Sequence, residues 1–205
     1  MTMTNLSRTL VMLAAALFMM PVQANDTAPE RLIRQTADEV LAIIKERQDE
    51  FKQDPASMYK MVDDKVLPHF DFDRMTDLAL GRYRRQAEGE QKPQLVEQFR
   101  QLLVRTYGKA LLEYNDETIK YLPMRGSIER GEVSVRTEIE QKGGFPIPLN
   151  YELYLKDGSW KVYDISVDNI SLVTNYRSSF AKKIKQAGIE GLIKALQTRN
   201  GEESQ

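Results

Sequence analysis

The sequence contains no cysteine, a single histidine and a single tryptophan among its 205 residues. Without cysteine, the chain forms no disulfide, no zinc–thiolate or iron–sulfur site, and no cysteine nucleophile. It also lacks an excess of either charge, because 29 Lys and Arg residues stand against 30 Asp and Glu residues, a formal net charge of −1. Proteins that bind duplex nucleic acid usually carry a strongly basic domain, so nucleic acid is not an expected partner.

A long apolar run is present only at the amino terminus. There Arg8 precedes the run LVMLAAALFMM at Leu10–Met20, and the segment Pro21–Ala24 follows it. A positive charge, a short apolar stretch and a small residue at the cut are typical of a secretory signal peptide. An uncleaved membrane anchor is the alternative, but spanning a bilayer takes ~20 apolar residues. We expect a signal peptide at residues 1–24 and a single periplasmic domain at 25–205.

The first half of the mature sequence has apolar residues at helical spacing. The predicted helices are one through Ile33 and Ile44, one from Asp54-Pro55 to Pro68, a short one over Phe72–Leu80, and the longest from Pro93 to Tyr114. Asp54 supplies a capping carboxylate, and Pro55 fits the first turn of a helix.

In the second half the apolar period changes to two, as in half-buried strands. The predicted strands are Thr118–Met124, Val133–Glu140, Tyr151–Lys156 and Trp160–Val167, with a hairpin turn at Asp157-Gly158 and a loose Gly- and Pro-rich connection around Phe145. Two helices, Ile170–Gln186 and Ile189–Gln197, and a frayed tail at about 199–205 close the chain. We therefore predict an α+β fold, with a twisted antiparallel sheet of about four strands packed against a helical layer. The surplus of apolar side chains fits either a solid core or a ligand cavity.

No sequence motif indicates catalysis. His69 lies near Asp71 and Asp73, but a metal site needs three or four convergent ligands, and this stretch has the pattern of a helix start. A Ser–His–Asp triad would need His69, and no Gly-x-Ser-x-Gly elbow is present. Two alternatives stay open: a pocket enzyme with Asp164 as general base, and a periplasmic chaperone or adaptor that binds apolar segments. We expect no metal and no cofactor.

Two groups of basic residues are compatible with more than one role. They are Arg82, Arg84 and Arg85 after Gly81, and Lys182, Lys183 and Lys185 in the penultimate helix. A solvated helix face accounts for both groups. The alternative is docking to acidic partners or to anionic lipid surfaces.

Four sequence blocks carry a resemblance to a known family. They are Leu67–Phe72 with Leu80–Arg84, Phe99–Tyr114, Trp160–Phe180, and Gly188–Leu192. In this order they resemble the MlaC, or toluene-tolerance auxiliary, family of periplasmic phospholipid-binding proteins of the Mla pathway, over almost the whole mature chain. Two positions depart from the family pattern: Asn169 stands where a glycine is expected, and Tyr83 where many relatives have tryptophan.

The resemblance implies a soluble carrier that is not an enzyme. It would hold the tails of a phospholipid, as cargo, in a deep apolar cavity enclosed between the sheet and the helices. It would exchange this lipid with an inner-membrane ABC transporter complex, which carries a ring of membrane-anchored lipid-binding domains, and with an outer-membrane lipoprotein–porin complex. The implied result is the maintenance of outer-membrane lipid asymmetry.

The expected cavity lining comes from three parts of the chain. The residues are Leu102, Leu103, Tyr107 and Leu111 on the long helix, Val133, Val135, Leu153, Ile165 and Val167 on the sheet, and Leu172, Val173 and Tyr176 on the helix that follows. Each of these residues is also compatible with a solid core, and the sequence alone does not distinguish the two arrangements.

Overall fold

The computed structural model describes residues 27–113, 117–141 and 143–202; the predicted signal peptide and Tyr114 lie outside these ranges. Its helices and strands are, in chain order, α1 (Ala28–Glu46), α2 (Gln48–Gln53), α3 (Pro55–Lys65), α4 (Phe72–Leu80), α5 (Gln91–Leu112), β1 (Thr118–Ser127), β2 (Glu132–Glu140), β3 (Ile147–Lys156), β4 (Ser159–Val167), β5 (Ile170–Ser171) and α6 (Leu172–Glu202). Short 3₁₀ helices, Leu67–His69 and Gly81–Gln86, flank α4.

Aspartate side chains cap two of the helices at their amino-terminal ends. Asp54 accepts a hydrogen bond from the Ala56 amide at 3.1 Å at the start of α3. Asp71 accepts one from the Arg74 amide at 2.9 Å at the start of α4. These bonds satisfy amide groups that have no partner within the first helical turn. Both helices therefore begin where the sequence indicates.

The sheet has the strand order β1-β2-β3-β4-β5, and all neighbouring strands are antiparallel. The predicted α+β fold with a helical layer is confirmed, with a fifth strand added. This strand, β5, comes from residues that the sequence assigned to the next helix. Ile170 pairs with Val167 across a turn in which Asp168 and Asn169 have φ values of 49° and 64°. Because asparagine tolerates this left-handed region, Asn169 forms the turn where a glycine was expected.

Helix α6 bends at Gly188, where φ is 68° and ψ is −173°. The break between the two predicted closing helices therefore lies at the predicted residue. The frayed tail expected from about residue 199 is not observed up to Glu202, where the helix ends. Asn200 is 3% exposed and donates to the main-chain oxygen of Gln98 at 3.0 Å and to its side-chain oxygen at 2.8 Å. A buried amide needs such partners, and they hold the end of α6 against α5.

Buried apolar side chains form three separate clusters. The helical cluster joins α4, α5 and α6 around Phe99, whose ring meets those of Tyr176 and Phe180 edge-on at 5.2 and 5.1 Å. The amino-terminal cluster joins α1, α2 and α3 around Phe51. The sheet cluster consists of Ile33 of α1 with Val133, Val135, Leu153 and Val162. Phe70 packs against both the helical and the sheet cluster. None of the described helices combines the length and apolar composition needed to cross a membrane.

Candidate functional site

One face of the sheet is apolar across four strands. Val133, Val135, Thr137 and Ile139 of β2 lie opposite Leu153, Tyr151, Leu149 and Ile147 of β3. On β4, Val162, Ile165 and Val167 lie opposite the same β3 residues Leu153, Tyr151 and Leu149; on β1, Tyr121 and Ile119 lie opposite Thr137 and Ile139. Cross-strand partners point to the same side of a sheet, so these side chains share one face.

This face has a packed end and an open end. At the packed end α1 lies over the sheet, and no member of the sheet cluster is more than 7% exposed. At the open end five aliphatic residues are only half-buried: Ile119, Ile139, Ile147, Leu149 and Val167. We call these five the apolar patch. Contiguous apolar surface of this kind is typical of a ligand or partner site.

The structure distributes the twelve predicted lining residues over several parts of the interior. On the helix side, Leu102, Leu103, Val173 and Tyr176 belong to the helical cluster, Tyr107 packs against it, and Leu172 is also buried. Leu111 packs against the amino-terminal cluster. On the sheet side, Val133, Val135 and Leu153 belong to the sheet cluster, Ile165 packs against it, and Val167 lies in the apolar patch. They occupy both the sheet side and the helix side of the interior. That they line one cavity stays a prediction.

Sequence analysis missed Ile147 and Leu149, the central residues of the patch. The cause is Pro146 and Pro148, because prolines and glycines in this segment predict a loose connection. In the structure Pro148 is part of β3, and its carbonyl accepts a hydrogen bond from the Asp168 amide at 2.9 Å. The alternation of apolar residues at 147, 149, 151 and 153 was the signal that identifies this strand.

Hydroxyl groups lie near the apolar layer, together with the Arg34 guanidinium, which is 3.7 Å from the centre of the Tyr121 ring. Thr137 donates its hydroxyl to the Leu149 carbonyl at 2.6 Å. Burial raises the pKa of the Tyr151 hydroxyl. Burial, together with Tyr176, also raises the pKa of Tyr107. Hydroxyl groups of this kind supply hydrogen bonds without the cost of a buried charge.

Two open surface pockets among the described residues lie elsewhere. One, of about 510 Å³, lies between the starts of α1 and β4 and is lined by Arg31, His69, Trp160 and Lys161 among others. The other, of about 310 Å³, surrounds Arg74 and is lined by both acidic and basic side chains, among them Asp73, Asp77, Arg84 and Lys156. Neither contains a residue of the predicted lining.

One of the candidate metal ligands, Asp71, is bound by other side chains. Asp71 is 6% exposed and accepts a hydrogen bond from Lys156 Nζ at 2.7 Å. Burial lowers the pKa of His69, and the charge of Lys161 lowers it further. In the described part of the chain, no three His, Asp or Glu side chains group together as metal ligands. Asp71 caps the start of α4, which is the helix-start role that the sequence favoured for this stretch.

Asp164, the candidate general base, caps helix α6. Its carboxylate accepts hydrogen bonds from the Ser171 hydroxyl and, at 3.1 Å, from the Val173 amide. It also accepts one from the Ile165 amide at 2.9 Å. These bonds assign the carboxylate a structural role at the junction of β4 and α6.

The two basic groups lie on adjoining elements of the helical layer. The 3₁₀ helix Gly81–Gln86 packs against α6, and the Arg177 side chain approaches Gly81. The Arg82 guanidinium donates to the Tyr83 hydroxyl at 2.8 Å. Tyr83 packs against the helical cluster, so the substitution for tryptophan leaves an aromatic ring at this contact.

Comparison with known proteins matches this architecture to one family. The family model described as MlaC protein matches residues 34–198, which include the whole sheet and most of the helical layer. The intermembrane phospholipid transport system binding protein MlaC of Haemophilus influenzae is 27% identical over 175 residues, covering 84% of this chain and 82% of the relative. The toluene tolerance protein ttg2D of Pseudomonas putida is 29% identical over 184 residues, covering 89% of this chain and 84% of the relative.

A solved structure extends the match to three dimensions. The phospholipid-binding protein of Ralstonia solanacearum, solved in complex with a phospholipid, superposes with a TM-score of 0.81. It is 33% identical and covers 87% of this chain and 100% of its own. The sheet that carries the apolar patch and the helices that pack beside it therefore share the arrangement of a protein with a bound lipid.

Proposed function

The chain belongs to the MlaC family, and we propose that it is a periplasmic carrier that binds a glycerophospholipid by its acyl chains. Phospholipid is then cargo, and the protein catalyses no reaction. Its partners on this proposal are an inner-membrane ABC transporter complex with a ring of membrane-anchored lipid-binding domains and an outer-membrane lipoprotein–porin complex. Exchange between them serves outer-membrane lipid asymmetry. The names of the Haemophilus and Ralstonia relatives, as transport-system binding protein and as phospholipid-binding protein, support this direction.

The apolar patch is the observation that carries the proposal. It continues the face of the sheet cluster, yet its five aliphatic side chains are only half-buried. We place the acyl chains against the patch, between the sheet and helices α5 and α6. The sheet and helical clusters are separate bodies of packed side chains. Chains inserted between them leave the packing inside each cluster intact.

The energetics of the cargo favour enclosure of the tails over recognition of the head group. Each methylene transferred from water is worth about 0.8 kcal/mol, and two acyl chains contain roughly 30 of them. The cost of exposing both tails is thus on the order of 20 kcal/mol. A carrier needs an apolar surface for the tails, and this chain supplies one without catalytic groups beside it. Release then requires a partner that offers another apolar surface.

The direct test is the lipid content of the exported protein, purified without detergent. We expect denaturing extraction and mass spectrometry to show two-chain phospholipid at close to one molecule per protein. Bound peptide instead of lipid would favour a chaperone or adaptor. Protein that contains neither, and takes up no phospholipid from vesicles, would overturn the carrier proposal and reopen the pocket enzyme.

A substitution in the patch locates the tails. Leu149→Trp fills space beside the half-buried patch, whereas Leu155→Trp adds the same ring to the same strand at a position that is 46% exposed. We expect both variants to melt cooperatively near the native temperature. Only Leu149→Trp should carry less lipid. Equal lipid content in the two variants would remove the patch from the binding site.

A further inference from the structure

The connection between β2 and β3 exposes an aromatic side chain. Phe145 is 91% exposed, the largest value among the exposed large apolar residues of the described chain, and Ile170 follows at 60%. Burying a side chain of this size is worth about 1.5–3 kcal/mol. An exposed Phe beside glycine and proline adds nothing to the packing of this fold. Its exposure is instead typical of a side chain that contacts another molecule.

Both exposed side chains border the apolar patch. Phe145 lies two residues before Ile147, the first patch residue of β3, and Ile170 pairs with Val167, the patch residue of β4. The antiparallel register places these residues at one end of the sheet. The less exposed pair, Ile128 at 44% and Leu155 at 46%, lies at the opposite end. The strongest apolar exposure is therefore continuous with the patch.

The border of this end is acidic. In sequence, its three connections, 113–117, 141–146 and 168–169, contain four acidic residues, Glu113, Asp116, Glu117 and Asp168, against one basic residue, Lys142. Glu140, the last residue of β2, is also exposed. Another nearby cation, Lys120, is paired with Glu138 at 3.3 Å. An acidic border is repelled by an anionic bilayer and attracted to a basic surface.

We propose that Phe145 and Ile170, with their acidic border, form the surface that docks onto a partner protein whose apolar lipid opening is surrounded by basic residues. The inference rests on the proposed lipid site, because the docked surface continues the patch. Tails leave the patch and enter the partner's opening without crossing water. Phe145 contacts the apolar rim of the opening, and the acidic border pairs with the basic residues around it.

The test compares transfer of a fluorescent phospholipid from the loaded protein to two acceptors. One acceptor is vesicles prepared from the native cell envelope, which contain the partner complexes. The other is protein-free liposomes of the same lipids. The test variants are Phe145→Ser and Glu140→Lys. The matched controls, Ile128→Ser and Glu129→Lys, make the same changes at the opposite end of the sheet, where both residues are exposed.

We expect Phe145→Ser to slow transfer to envelope vesicles about tenfold, as the loss of a central interface contact does. Glu140→Lys should slow it as well, because a like charge then faces the basic residues of the partner. The lipid content of both variants and their transfer to liposomes should equal those of the native protein and the controls. Transfer by the native protein should also slow as salt rises, and Glu140→Lys should reduce this salt dependence.

Two outcomes would overturn the docking surface. If Phe145→Ser slows transfer to liposomes and envelope vesicles equally, the side chain contacts the bilayer rather than a protein. If the test variants transfer lipid as fast as the controls, this end of the sheet is not the docking surface. Both outcomes differ from failure of the carrier proposal, in which the native protein contains no phospholipid to transfer.

Discussion

The hydroxyl of Tyr154 on β3 donates a hydrogen bond to the carboxylate of Asp71, which lies 83 residues earlier at the start of α4. The same carboxylate accepts from Lys156 Nζ at 2.7 Å. The Arg74 guanidinium lies 4.0 Å from the centre of the Tyr154 ring and 3.9 Å from that of Tyr163. These contacts attach the start of α4 to strands β3 and β4.

We expect the Asp71–Tyr154 bond to contribute measurably to stability. Asp71→Asn should lower the free energy of unfolding by about 1.5–3 kcal/mol, since it weakens hydrogen bonds to a buried charged group. Tyr154→Phe should cost about 1 kcal/mol. Urea unfolding of both single variants and the double variant should give a coupling energy of at least 0.5 kcal/mol in magnitude, as for residues in contact. Additive effects would contradict the bond, and Tyr163→Phe, which keeps the ring beside Arg74, is the control.

The same carboxylate predicts a pH dependence. Burial alone raises the pKa of Asp71, but bonds from Lys156, Tyr154 and the Arg74 amide outweigh it and hold the pKa below the ordinary value of 3.8. The native state therefore binds a proton less readily than the unfolded state. Its contribution is complete above the unfolded-state pKa and is lost as the pH falls through the lower folded-state pKa. The stability difference between native protein and Asp71→Asn should shrink on acidification below about pH 4, and a constant difference would contradict this.

Asp164 should matter for stability and leave lipid binding unchanged. Asp164→Ala removes the acceptor of the Val173 amide and the Ser171 hydroxyl, so we expect a loss of about 1 kcal/mol, typical of a lost helix cap. Thermal melting and lipid extraction on the same sample measure the two effects. A variant with native stability that loses a turnover activity would instead support the pocket enzyme.

Gly188 should not tolerate a side chain. Its φ of 68° with ψ of −173° lies in a region essentially restricted to glycine, so Gly188→Ala should cost about 1–3 kcal/mol. Gly201→Ala in the same helix is the control, because a Cβ there meets nothing within 4 Å. Alanine favours helix by up to about 1 kcal/mol, so the control should be neutral or stabilising. Equal melting temperatures for the two variants would contradict the backbone argument.

The mature protein should begin at Asn25. The signal pattern that ends at Ala24 is the reason, and the intact mass of protein from the periplasmic fraction is the measurement. A mass that retains Met1, in protein recovered with membranes, would indicate the uncleaved anchor.

Local sequence patterns predicted the helices well where a cap or a break marks their ends, but not the short helix α2. The caps at Asp54 and Asp71 and the break at Gly188 need no information from distant parts of the chain. Strand β5 was missed because two residues carry no periodicity; Ile170 and Ser171 pair only because the preceding turn brings them beside β4.

The candidate site was harder to predict for a different reason. Periodicity shows that Val135 and Leu103 are buried, but it does not show which side chains they meet. The structure places them in different clusters. In the same way, the contact between Asn200 and Gln98 forms only because α6 packs against α5 in the folded protein. The polar sequence at residues 199–205 therefore did not predict it.

Phe70 lies where the sheet and the helical layer meet. It is the residue that packs against both the sheet cluster and the helical cluster, it bridges to Val162 of β4, and the Asp71 bonds lie next to it. The two layers are thus joined beside strand β4, and we expect this junction to act as a hinge. On the carrier proposal, binding of lipid should rotate the helical layer about Phe70 relative to the sheet. Amide hydrogen exchange should then change beside the apolar patch and stay constant at the junction beside β4. On the carrier proposal, the volume available to cargo would follow from the opening angle.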